Sequence, residues 1–226
     1  PYLIETPEQL AKLVANVLES KGKHYKLTAD VYLNDISKPN WEENAKEWFW
    51  VSTARFGNFN GHFNGDGHVI YGMYLDLKPS NGVVYAGLFP TISDGTVVEK
   101  VGFSNCHLKI DYSDVDKESY LGSIAGVVFL NQPEAETDPK TLPVISQCFG
   151  DSKTVLEARF AGGLIGGGSY AANIENSYFV GKVVGERIGA ITGNTWTTFE
   201  GATVTKTYSA TIAADIFSGG RAGVQN

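Results

Sequence analysis

Two periodicities divide the chain. In "ETPEQLAKLVANVLES", residues 5–20, Leu10, Leu13, Val14, Val17 and Leu18 recur at i, i+3, i+4, i+7 and i+8, the stripe of an amphipathic helix. Thr6 is placed to cap its N-terminus, Pro7 suits the first helical position, and Glu8 and Gln9 fall in the first turn. Gly22 is the expected stop. From residue 24 onward the period drops to two: "HYKLTADVYLN" sets Tyr25, Leu27, Ala29, Val31 and Leu33 on one face of extended chain. The pattern predicts one helix over residues 6–20 and strands thereafter.

The strand region repeats itself. "YAGLFP" at Tyr85, "YLGSIAG" at Tyr120, "FAGGLIGG" at Phe160 and "RIGAITG" at Arg187 share one shape: a large side chain, a small or aliphatic residue, a glycine, then alternating apolar residues. Gly87, Gly122, Gly162 and Gly189 mark the beat at intervals of 35, 40 and 27 residues, and "RAGV" at Arg221 begins it again. A second segment recurs between them, as "VVEKVGF", "VISQCFG", "NIENSYF" and "TVTKTYS". Repeats of this length with no helix inside them predict a solenoid.

The expected fold is all-β, a parallel β-helix whose coils stack at the strand spacing, with Leu88, Ile124, Leu164 and Ile191 as an inward ladder. Glycines would supply positive φ or close backbone approach at the corners. A β-sandwich also uses many short strands but does not require the repeated sequence. An open solenoid end needs covering, and the 6–20 helix is suited to cap the first coil. One domain over 1–226 is expected: leader strands and first coils at 24–78, repeats at 85–215, and a truncated repeat or C-terminal cap at 216–226.

Gly163-Leu164-Ile165-Gly166 resembles in full the motif of the GLUG-repeat family of bacterial surface and secreted proteins. Ser123–Gly126 and Ala190–Gly193 lack its first glycine, and Gly87–Pro90 its last, while "NIENSYFVGKVVG" is similar to the family's continuation. "IETPEQLAKL", "LTADVYLND" and "FNGHFNGDGHVIYGMYL" resemble the lead-in to such repeats. Similar leaders occur in multimodular proteins of anaerobic Gram-positive bacteria, some bearing dockerins, and near IgA-cleaving metalloproteases. The resemblance implies a right-handed β-helix, placed outside the cell or on its surface and linked to other modules. It implies no particular activity. Within it the repeat glycines Gly87, Gly122, Gly162, Gly163, Gly166, Gly189 and Gly193 are structural.

Charge narrows the partners. The net charge is −7, and the basic residues are scattered without a stripe that could neutralise phosphates, so nucleic acid is not expected. The longest apolar run falls well short of a membrane span, and no signal peptide heads the chain, which opens on "PYLIETPEQL" as an excised domain or mature chain would. Cys106 and Cys148 form no CxxC motif and read as small buried hydrophobes.

Candidate chemistry is sparse. His62 and His68 flank Asn64-Gly65-Asp66-Gly67, two strong turn formers, so they read as strand residues around a corner rather than as converging zinc ligands. Asp111, Asp114, Asp116 and Glu118 crowd one loop and are candidate Ca²⁺ ligands, though without the order of an EF-hand. Trp41, Tyr170 and Trp196 are candidate sugar-stacking platforms. The expected role is therefore recognition of a polysaccharide or another extracellular protein, or a rigid spacer, with no cofactor other than Ca²⁺ in prospect. The alternative is a polysaccharide lyase or glycoside hydrolase on the same scaffold, for which the ladder positions reveal no paired carboxylates.

Overall fold

The computed structural model describes residues 1–48, 51–52, 57–80, 82–129, 142–168 and 172–195, together with short strands at 204–205, 208–209 and 212–214. One coil displays the plan: Val97–Glu99, Gly102–Ser104, His107–Ile110, Glu118–Leu121 and Ala125–Val128 are five short strands, each on a different face. Stacking such coils makes five sheets among the described residues, numbered here as faces one to five in the order the chain visits them. Neighbours pair in parallel, as Val97–Glu99 does with His62–Asn64 on one side and Val144–Ser146 on the other. The antiparallel pair is Val51–Ser52 against Val83–Ala86. The chain is a parallel β-helix.

The sequence repeat and the coil are the same unit. Tyr85, Tyr120, Phe160 and Arg187 pair in register on face four, which brings the repeat glycines that follow them into line. The expected inward ladder is present: Leu88, Ile124, Leu164 and Ile191 are buried, and the amides of Ile124 and Leu164 donate to the carbonyls of Leu164 and Ile191. Buried Phe59 and Phe89 stack at 4.1 Å, and each such ring stabilises the fold by about 2–3 kcal/mol. Cys106 and Cys148 are free and buried, and burial pushes both thiols up to about 12.

Local geometry departs from the periodicity at several points. The helix runs Pro7–Ala15, closed at its start by a reciprocal capping box between Thr6 and Gln9, and its Leu10, Leu13 and Val14 enter the main core. Asn16 then breaks the register with a side chain bonded back to the Lys12 carbonyl, and Val17–Glu19 continue as a 3₁₀ turn. That tighter turn swings Leu18 off the stripe, leaving it 77% exposed, so the expected stop at Gly22 comes after the helix has already ended. The continuous strand expected in "HYKLTADVYLN" is two strands, His24–Leu27 and Val31–Tyr32, on adjoining faces. Alternation survives the bend, because Tyr25, Leu27 and Val31 all still point inward.

The seven repeat glycines answer a question of space. None lies in the left-handed region. A Cβ on Gly122 would come within 2.5 Å of the carbonyl oxygens of Ala125 and Leu164, and one on Gly166 would meet the Leu121 amide nitrogen and the Gly126 carbonyl. Positive φ falls instead on Lys100, Gln147 and Asn176, which occupy equivalent corners between faces one and two. Residues 216–226, expected as a truncated repeat or cap, lie outside the described residues.

Candidate functional site

Face three carries the candidate site. Its strands Tyr74–Leu77, His107–Ile110 and Val155–Glu157 send Leu75, Leu108 and Leu156 into the core. Alternation then leaves Tyr74, His107 and Val155 in one outward row and Asp76, Lys109 and Glu157 in the next. Two adjoining cavities of about 620 and 280 Å³ lie over these rows and share Asp76, Lys109 and Glu157 as walls. Lys109 Nζ is 3.7 Å from Glu157 Oε1, and both side chains are partly exposed. An exposed pair contributes only about 0–1 kcal/mol, so strand register, not attraction, sets this charge row.

The ends of the groove are built from connections. At one end His107 Nδ1 lies 2.7 Å from Glu42 Oε1 and its Nε2 lies 3.2 Å from the Lys153 carbonyl oxygen. Its ring lies 5.3 Å from that of Trp41, which also meets the Tyr74 ring edge-on at 6.0 Å. Trp41 is only 7% exposed and serves as the packed base of the 41–44 turn. It therefore offers no open face for a sugar, which corrects the expectation from its place in an aromatic-rich connection. Tyr170 and Trp196 lie outside the described residues.

At the other end stands the acidic loop. Asp111 Oδ1 accepts from the Ser113 amide, Asp114 Oδ1 from the Asp116 amide, and Glu118 from the Tyr120 hydroxyl. The backbone and side-chain bonds from Ser113 hold the Asp111 carboxyl below its ordinary range, and those from Lys117 and the Asp116 amide do the same for Asp114. Asp111, Asp114, Asp116 and Glu118 do not converge, and among the described residues no group of three or more His, Cys, Asp or Glu is placed to hold a metal. A cation does organise this loop, but it belongs to the chain. Buried Arg159, from the following coil, donates to the carbonyls of Tyr112, Asp114 and Val115 at 2.8–3.0 Å. The acids are what the sequence displays, whereas the main chain between them is what the guanidinium reads.

The histidines of the Asn-Gly-Asp-Gly corner go separate ways. His62 donates from Nε2 to Glu99 Oε1 at 2.9 Å and shares a 3.1 Å contact with His24, while His68 pairs with Asp30. They are corner furniture, not a ligand pair.

Comparison with known proteins agrees with the fold. No family model matches the chain. A stretch of 134 residues, 57% of this chain, is 29% identical to a protein of Evansella cellulosilytica described as a "Putative Gly-rich membrane protein", and it spans 14% of that protein's length. No helix among the described residues is long and apolar enough to cross a membrane. The crystal structure of a "putative immunoglobulin A1 protease" from Bacteroides ovatus superposes with a TM-score of 0.51 over 94% of this chain and 67% of that one, at 18% identity. At that identity the likeness shows a shared fold, and that fold is the parallel β-helix.

Proposed function

We propose that this chain is a recognition module, without catalysis of its own, of an extracellular or surface-bound bacterial protein. It acts by display: a rigid, right-handed coil of the GLUG-repeat kind, capped by its N-terminal helix, presents the face-three groove to a polysaccharide. The observation that carries this reading is the solvent-open trough in which Tyr74 and the Asp76–Lys109–Glu157 row span three successive coils. An aromatic edge beside fixed donors and acceptors is the chemistry that holds a sugar chain. The description of the Evansella relative as a membrane protein supports placement at the cell surface. Affinity electrophoresis through gels containing soluble polysaccharides tests the reading. Retardation in one of them, reduced by Lys109→Ala and by Glu157→Gln, is expected; migration unchanged in every gel would count against it.

One observation favours a second reading, that of a glycoside hydrolase. Asp76 and Glu157 flank Lys109 in register on one outward row, and a glycoside hydrolase works through two carboxyl groups on either side of the scissile bond. Against it, the open groove provides no dehydrated pocket for a proton donor. Release of reducing ends that disappears in Glu157→Gln would favour the hydrolase.

A further inference from the structure

We infer that Tyr32 is a sugar-stacking platform, a second contact point for the polysaccharide on the far side of the 41–46 turn from the face-three groove. Tyr32 closes the N-terminal edge of face two and is 53% exposed. Its ring stacks on that of Tyr71 in the next coil at 4.6 Å with only 7° between the planes. One face of Tyr32 is thus fixed against Tyr71, and among the described residues no strand of the sheet lies beyond the other. A stacked, pre-oriented ring loses little freedom on binding, which is the property that makes an aromatic side chain an effective platform.

The surroundings supply the polar half of the chemistry. Tyr32 borders a cavity of about 790 Å³ whose wall includes Asp35, Ser37, Asn44 and Lys46. Asn34 holds that wall in shape, donating to the carbonyls of Lys46 and Gly72 and accepting from the Lys46 amide. The cavity therefore offers, around one exposed ring, the Asn44 amide, the Lys46 ammonium and the Asp35 carboxylate, whose Oδ1 already accepts from the Ser37 hydroxyl and amide. That combination fits a pyranose with equatorial substituents, which presents a flat C–H face to the ring and hydroxyls at its rim. The occupant is such a sugar within a β-linked chain.

The same connection walls both grooves. Asn44 and Lys46 line the Tyr32 cavity, and Glu42, two residues before Asn44, lines the smaller cavity over face three. A chain crossing this turn would touch both, so the inference rests on the polysaccharide reading above.

Affinity electrophoresis with hydroxyethylcellulose and with xylan, on variants whose melting temperature matches that of the unaltered chain, tests it. Tyr32→Ala should weaken binding about tenfold, Tyr32→Phe should retain most of it, and the double change Asn44→Ala, Lys46→Ala should weaken it through the rim. Binding lost in Lys109→Ala but unchanged in both Tyr32→Ala and the rim variant would overturn the Tyr32 site and leave the face-three reading standing. Migration unaffected by either polysaccharide would overturn the β-linked occupant.

Discussion

The coil turns two kinds of corner, and they call for opposite residues. Between faces four and five, at Gly87, Gly122, Gly162 and Gly189, the backbone of the same coil or of the next passes so close that a Cβ would strike main-chain atoms. Between faces one and two, Lys100, Gln147 and Asn176 hold φ of 50–55°. Left-handed backbone is the usual reason for a glycine, yet here it is borne by residues with long or polar side chains. The repeat glycines stand where there is no room, and the left-handed torsions of the other corner fall on half-buried Lys100 and exposed Gln147 and Asn176.

The largest expected effect breaks the crowded corner. Gly122→Ala must displace two carbonyls belonging to two successive coils, a cost of about 3 kcal/mol or more, seen as a lower midpoint in urea unfolding. A midpoint within error of the unaltered chain would refute the crowding. The 64–67 turn holds both kinds of glycine side by side and sharpens the contrast. Gly65 abuts the Lys100 carbonyl and the Val101 Cα, whereas Gly67 has φ of +90° with open space around it. Gly65→Ala is expected to cost about 2–3 kcal/mol and Gly67→Ala about 1 kcal/mol, so equal losses would mean that one cause governs both. The smallest effect has the opposite sign. Gln147→Gly relieves a positive φ at the price of backbone entropy, for a net gain of about 0.5 kcal/mol in the same measurement.

The coils were legible in sequence because close packing writes itself as recurring glycine, and the core as recurring leucine and isoleucine. Leu88, Ile124, Leu164 and Ile191 align with one another from the repeat alone. The grooves were harder to read because outward positions are free to differ. Asp76, Lys109 and Glu157 share one row but no chemistry, so nothing in the repeat flags them. They become neighbours only once the inward Leu75, Leu108 and Leu156 are set in register. Tyr32 and Tyr71 sit 39 residues apart in the leader, before the glycine beat begins, and so had no period to betray them. Trp41 misled for the reverse reason: an aromatic in a polar connection looks available, and only the rings of Tyr74 and His107 show that it is covered.

Arg159 carries a consequence for how such a molecule can change. Its guanidinium holds the 112–115 segment of the coil before its own, and two residues beyond that segment Lys117 reaches back to the Pro79 carbonyl of the coil before that. Three coils that look exchangeable from their cores are thus tied in order on the outside, Arg159 to the coil before its own and Lys117 to the one before that. Duplicating or reordering a coil would keep every ladder and glycine in place and still sever these cross-references. The stack behaves less like beads on a string than like a numbered sequence of pages.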